Sequence, residues 1–227
     1  MPGALKASLR RTLLIDCDPQ GNVSQYFKRY GQAQECGLRT GRITGTDWPT
    51  LDIITGNMDL YDWERALYER KCTTCIQDIL GDIQFEGYDA VFMDCPPALN
   101  MLTINALCAA DYLIIPIRLD AFSSHGLMEL EQQLQDVKAV NPALHLLGVL
   151  ITHDERTQLS EEAEPILRSR FPVFDTKISR SRWIMDSTLM QEPLEALGMN
   201  LKPSWQYRKL LKEIIVRIGQ PRKGGTT

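Results

Sequence analysis

The chain has 227 residues, 44% apolar and 24% charged, with a net charge of −4. That apolar share can bury a core and excludes a disordered chain. No apolar run approaches the ~20 residues of a membrane-spanning helix, and "MPGALKASLRR" lacks the apolar stretch of a signal peptide, so a soluble, cytoplasmic protein is expected.

Along the chain, short apolar runs alternate with longer amphipathic stretches. Strands are expected at Thr12–Ile15, Leu51–Ile54, Ala90–Met93, Tyr112–Ile117, Leu144–Ile151 and Val173–Ile178. Their Leu, Ile and Val are mostly continuous rather than alternating, as in strands covered on both faces. Helices are expected over 123–140, which stops before Asn141-Pro142, over 158–171 and over 205–218. The alternation predicts an α/β fold, a doubly wound and mostly parallel sheet flanked by helices. One domain over residues 1–218 and a disordered tail over 219–227 complete that reading. The helix at 205–218 gathers Leu210, Leu211, Ile214, Ile215 and Ile218 on one face. Such a face fits a sheet-packed helix, the commoner case, or a membrane surface.

In a sheet of this kind, ligands sit at the carboxyl ends of the strands. Two strands end there in acid: "TLLIDCDPQGN" (12–22) at Asp16 and Asp18, and "AVFMDCPPALN" (90–100) at Asp94. Carboxylates so placed can hold Mg²⁺, directly or through water. They can equally cap helices and turns. The six cysteines include a lone C-x-x-C, Cys72 and Cys75, with no second pair or suitably spaced histidine for zinc. They are expected to be thiols on a helix surface. From Pro165 onward the chain holds 12 Lys and Arg against 5 Asp and Glu, a basic end on an acidic protein.

Several stretches resemble the ParA/Soj partition ATPases, relatives of MinD in the deviant-Walker class of P-loop proteins. They are "LLIDCDPQGNVS", "YDAVFMDCPPALNMLTINALCAADYLIIPIRLDAFSSHGL", "LLGVLITHDERTQLSEEAEPIL" and "VFDTKISRSRWIMDSTLMQEPLEA". The resemblance covers nearly all of residues 9–218. It implies that Asp18 is the switch aspartate that orients the attacking water, with Gln20 and Asn22 in the same switch. Asp16 would stand in the outer shell of Mg²⁺, and Asp94 would hold the metal through water. Thr152 and Asp154 would lie near the nucleotide base. Arg168, Arg170, Lys177, Arg180, Arg182, Arg208, Lys209 and Lys212 are the candidate contacts to non-specific DNA, each also readable as a solvated surface cation. The family further implies ATP, a ParB-like stimulating partner, a homodimer and a cytoplasmic, nucleoid-associated location, with membrane attachment disfavoured.

The family's phosphate loop, K-G-G-x-G-K-T-T, is absent, and no Gly-Lys dipeptide occurs in the 227 residues. The terminal "RKGGTT" follows an amphipathic helix with no strand before it or helix after it, so it is read as a tail. The first strand of the P-loop fold is expected to be missing too, leaving unpaired sheet edges that favour association or rearrangement. Weak ATP binding and negligible hydrolysis follow. The chain then reads as a truncated or catalytically impaired ATPase or, alternatively, as a non-enzymatic regulator or decoy that binds partner proteins or DNA.

Overall fold

The computed structural model describes residues 11–27, 29, 36–83, 87–119, 124–155, 157–198 and 200–219. They group into two compact units that interleave along the chain, residues 1–111 with 133–144, and 112–132 with 145–227. Of the tail expected over 219–227, Gly219 closes the last helix and the remainder lies outside the described residues.

In the first unit, strand β1 (Thr12–Asp16) leads through helices α1 (Asn22–Tyr26) and α2 (Gly37–Thr40) to β2 (Ile43–Gly45) and β3 (Leu51–Ile54). Helices α3 (Asp59–Arg70) and α4 (Cys75–Gly81), strand β4 (Ala90–Asp94) and helix α5 (Met101–Ala109) follow. The sheet order is β2-β3-β1-β4. The central β1 runs parallel to both β3 and β4, and only the short β2 is antiparallel. Leu13 and Ile15 of β1 are fully buried, and with Ile54, Leu60, Leu67, Ile76 and Leu102 they form one apolar core. Continuous apolar strands end up covered on both faces for this reason. The outer edge of β4 carries no partner strand among the described residues, and Val91 and Phe92 stay 37% and 39% exposed.

Two polar clusters pin this unit. Arg11 bonds the Asp52 carboxylate at 2.8 Å, and the Tyr88 hydroxyl donates to the same group at 2.7 Å. At the start of α5 the Asn100 side chain accepts from the Thr103 N–H at 3.0 Å, an N-cap. The expectation for the C-x-x-C pair is corrected here. Cys72 and Cys75 are joined by a disulfide rather than standing as free thiols. Four residues that turn from the end of α3 into α4 bring the two sulfurs together, which an uninterrupted helix surface would not do.

The second unit holds β5 (Tyr112–Ile117) and β6 (His145–Ile151), parallel, with a register shift between Leu113 and Ile114. Its helices are α6 (Ser124–Val140), inside which the boundary between the units falls, α7 (Gln158–Arg170), α8 (Arg182–Met190), α9 (Leu194–Leu197) and α10 (Lys202–Ile218). Helix α7 opens with a reciprocal capping box between Thr157 and Ser160. Helix α10 buries Leu210 against Leu147, Leu150, Phe174 and Ile178, with Ile214 packed beside them. Its apolar face therefore covers β6, as a sheet-packed helix does.

The strand expected over Val173–Ile178 is corrected too. It survives as two isolated parallel bridges, Val149↔Val173 and Asp154↔Ser179. Between them the N–H groups of Asp175 and Thr176 donate to the Glu213 carboxylate at 2.8 and 3.0 Å, so the Thr176 N–H, next in turn after Phe174 to face β6, is lost to the ladder.

Candidate functional site

The register of β1 against β4 places Asp16 directly opposite Asp94 at the carboxyl edge of the sheet. The chain then leaves β1 in a tight turn. Asp18 accepts from the Gln20 N–H at 2.9 Å through its side chain, and its carbonyl accepts from the Gly21 N–H at 2.9 Å. Gly21, at φ 61°, occupies the left-handed region where glycine is unstrained, and α1 starts at the next residue, Asn22.

Asp16 is fully buried. The Ser24 N–H and hydroxyl donate to its Oδ2 at 2.8 and 2.6 Å, and the Asp18 N–H donates to Oδ1 at 3.2 Å. The Ser24 hydroxyl in turn accepts from the Gly56 N–H at 3.0 Å. Burial raises the Asp16 pKa, and the Ser24 donors pull it back down. This carboxylate fixes the loop from inside. Asp18 is half-buried, whereas Gln20, Asn22 and Asp94 are exposed at the edge.

Although Asp94 is exposed, the sheet edge partly desolvates its carboxylate, and this with the neighbouring charges of Asp16 and Asp18 raises its pKa from 3.8 to about 6. The sign for stability follows. Between about pH 4 and 6 the folded chain holds a proton that the unfolded chain has released, so this group's contribution falls as pH rises. Asp94→Asn is expected to stabilise the chain at pH 8 by about 1 kcal/mol, the exposed side chain being partly screened. The gain should vanish below about pH 4, where Asp94 is protonated in both states. Urea midpoints at the two pH values check this, and a gain independent of pH would contradict it.

Sequence reasoning missed one neighbour of this edge, Tyr61, and the thiol contact of another, Cys17, which the sequence already sets beside Asp16. The Gln20 side chain donates to the Tyr61 hydroxyl at 2.7 Å, which ties the loop to α3. Tyr61 sits in an ordinary amphipathic helix pattern, and nothing local in the sequence marks it. Cys17 is fully buried, its N–H donates to the Asp94 carbonyl at 2.8 Å, and its thiol meets that of Cys95. The pairing of Asp16 with Asp94 implies this contact once the register is known.

Thr152 and Asp154 lie in the second unit, just past β6. The Thr152 hydroxyl donates to the Ile117 carbonyl at 3.0 Å, and Asp154 stands 3.7 Å from Lys177. The candidate DNA contacts are spread over α7, α8, α10 and the segment between α7 and α8. Arg168 and Lys177 each pair with Glu164 at 2.8 Å, Arg170 with Glu131 at 2.8 Å and Arg180 with Glu155 at 2.8 Å. Arg182 lies over the Trp183 ring and Lys209 over Trp205. Arg208 is half-buried on α10, and Lys212 is exposed on the same helix.

A family model described as an AAA domain matches residues 1–146. The chain is 33% identical to the chromosome partitioning protein ParA of Caulobacter vibrioides, a match that covers 94% of this chain and 86% of that one. It is 31% identical to the chromosome-partitioning ATPase Soj of Thermus thermophilus, covering 92% and 85%. Among solved structures it superposes on cobyrinic acid a,c-diamide synthase from Mycobacterium smegmatis, with bound ATP analog and magnesium, at a TM-score of 0.75. That match has 26% identity and covers 96% of this chain and 87% of the other. The parallel-dominated α/β architecture, the acidic carboxyl edge and this similarity over most of the sequence agree, and the chain belongs to the ParA/Soj family of chromosome-partitioning ATPases.

Proposed function

We propose that this chain is a partition protein that acts on DNA with a ParB-type partner, as a homodimer, and carries an impaired site for ATP and Mg²⁺. One observation carries the reading: the in-register pair Asp16 and Asp94 on adjacent parallel strands, with Asp18 in the loop between β1 and α1.

A divalent cation suits this edge. The raised pKa of Asp94 comes first from desolvation and then from the charges of Asp16 and Asp18, and a cation would relieve the second of these. Among the described residues no group of three acids, histidines or cysteines is placed to cage an ion. We assign hydrated Mg²⁺ to Asp94, with Asp16 supporting it from behind through the loop. The metal would supply charge neutralisation beside a phosphate. Asp18, flanked by Gln20 and Asn22, would orient a water. Thr152 and Asp154 would serve the base.

A triphosphate fits less well. The groups that act on Asp16 and Asp94 are carboxylates and uncharged donors, with no Lys or Arg among them. The 227 residues also contain no Gly-Lys dipeptide of a phosphate loop. That favours a second reading, a regulator or decoy that competes for partners or DNA without turnover. DNA binding would come from cations on α7, α8 and α10 and would weaken steeply with salt.

Calorimetric titration of the 227-residue chain with Mg·ATP, beside an Asp94→Ala control, separates the readings. Impaired binding predicts no heat in the micromolar range. Micromolar binding that the control abolishes would overturn the impairment and leave a working nucleotide site.

A further inference from the structure

A disulfide in this chain stands apart from the acidic edge and from everything the partition reading uses. Cys72 and Cys75 close a ring of four residues between α3 and α4. The other described cysteines, Cys17, Cys36, Cys95 and Cys108, are free thiols. Bridges stabilise mainly by restricting the unfolded chain, and the gain grows with the length of the loop closed. A C-x-x-C ring closes one of the shortest loops available, so stability is a poor reason for this bridge. Close spacing favours exchange instead, because each sulfur can displace an incoming thiol from its neighbour.

The surroundings fit exchange. Both cysteines are half-buried, so a sulfur can be reached from solvent while its ring packs against the core. The Cys108 thiol on α5 hydrogen-bonds the Thr73 side chain between the two cysteines, which places a third thiol beside the pair. The fully buried Asn105 of α5 grips the same turn. Its amide donates to the Cys72 carbonyl and to the Met101 carbonyl, both at 2.8 Å, and its oxygen accepts from the Ile76 N–H at 3.4 Å. A change in the 72–75 turn therefore reaches α5 through one side chain.

We propose that Cys72 and Cys75 form a reversible thiol–disulfide exchange site for thiol reductants and that its state is passed to α5 through Asn105. In the forward step a reductant thiolate attacks one sulfur, the Cys72–Cys75 bond breaks, and the other cysteine leaves as a thiolate that takes up a proton. A second reductant thiolate then attacks the first reductant's sulfur in the resulting mixed disulfide, which forms the external disulfide and expels the protein cysteine as a thiolate that takes up the second proton. The sum is one protein disulfide plus two thiols giving one protein dithiol plus one external disulfide, with two electrons and two protons moved to the protein. Oxidised low-molecular-weight disulfide reverses it.

The test uses the full chain, folded, in buffers of reduced and oxidised glutathione at varied ratio. Samples are quenched in acid, unfolded, alkylated and weighed by mass spectrometry. Four alkyl groups are expected at oxidising ratios and six at reducing ones, with a smooth and reversible transition between them. Amide hydrogen exchange at Ile76 and in the first turn of α4 should quicken about tenfold on reduction. The Cys72→Ser/Cys75→Ser double variant should show the fast exchange at every ratio and no transition. Because single variants can form mixed disulfides, Cys72→Ser alone serves as a check, and its Cys75 should add one glutathione in oxidising buffer. Six alkyl groups at every ratio would overturn the site. A bridge that opens only after the chain has unfolded would overturn exchange and leave a structural staple. A normal transition with unchanged amide exchange would overturn the link to α5.

Discussion

Gly56→Ala is expected to destabilise the chain by about 3 kcal/mol, a size reserved for substitutions that force buried backbone apart. Gly56 follows β3, is buried, and its N–H donates to the Ser24 hydroxyl at 3.0 Å. A methyl group on its α-carbon would run into the Asp16 carbonyl, with the Leu60 side chain at 3.1 Å behind it. The obstacle is the backbone of the central strand, which has no rotamer to change. Moving β3 away would break the Gly56–Ser24 bond and loosen the hydroxyl that holds the Asp16 carboxylate. Gly81→Ala is the matching control, because nothing lies within 4 Å of a methyl group there. At the end of α4 it should be neutral or stabilise by up to about 1 kcal/mol. Equilibrium urea denaturation of both variants decides the matter. A Gly56→Ala protein as stable as its parent would show that the close approach of the β3 end to β1 is wrong.

Arg217→Ala should cost about as much in the second unit, roughly 3 kcal/mol. The guanidinium donates to the Leu147 carbonyl at 2.9 Å, to the Val173 carbonyl at 2.8 Å and to Glu213 at 2.8 Å, and it lies 4.1 Å from the centre of the Phe174 ring. One side chain of α10 thus joins β6 to the broken edge segment. Its removal leaves two carbonyls without this donor and a Glu213 carboxylate without its cation. Glu213 also holds the N–H groups of Asp175 and Thr176, so the damage spreads along that edge. Arg217→Lys should recover less than half of the loss, because an ammonium cannot reproduce the planar fork over the ring. Chemical denaturation of the two variants tests the claim, and full recovery by lysine would reduce the arginine's role to its charge.

Much of the architecture could be read before any coordinates. Leu51–Ile54 and Tyr112–Ile117 are strands with the expected bounds, short runs rich in Leu and Ile. The acids at 16, 18 and 94 are legible as abrupt charges at the ends of two other apolar runs, 12–15 and 90–93. What escaped depends on distant partners. Residues 173–178 look like a strand, and only Glu213 on the last helix reveals why the ladder breaks there. Strand β2 is three residues held antiparallel by β3, too short for any alternation to show. Asp16 reads in sequence as an outer-shell group for Mg²⁺, and its bond to Ser24, eight residues on, which anchors the loop, does not show there. Arg168, Arg170, Lys177 and Arg180 are legible as cations in sequence, but their pairing with acids of α6, α7 and the turn after β6 is not.

The position of β1 in the middle of its sheet also sets a timetable for synthesis. Arg11, at the head of β1, meets Asp52 across 41 residues of chain and Asp89 across 78. At about 5–20 residues per second, a ribosome takes roughly 4–16 s to make the longer stretch. Until then, among the described strands, β1 has only β3 beside it, and the Asp16 carboxylate awaits Asp94. Strand β1 is thus completed only after β4 has been made. During that interval the nascent chain presents an apolar strand edge to the cell, and folding helpers that shield such edges should find it before the acidic edge is assembled.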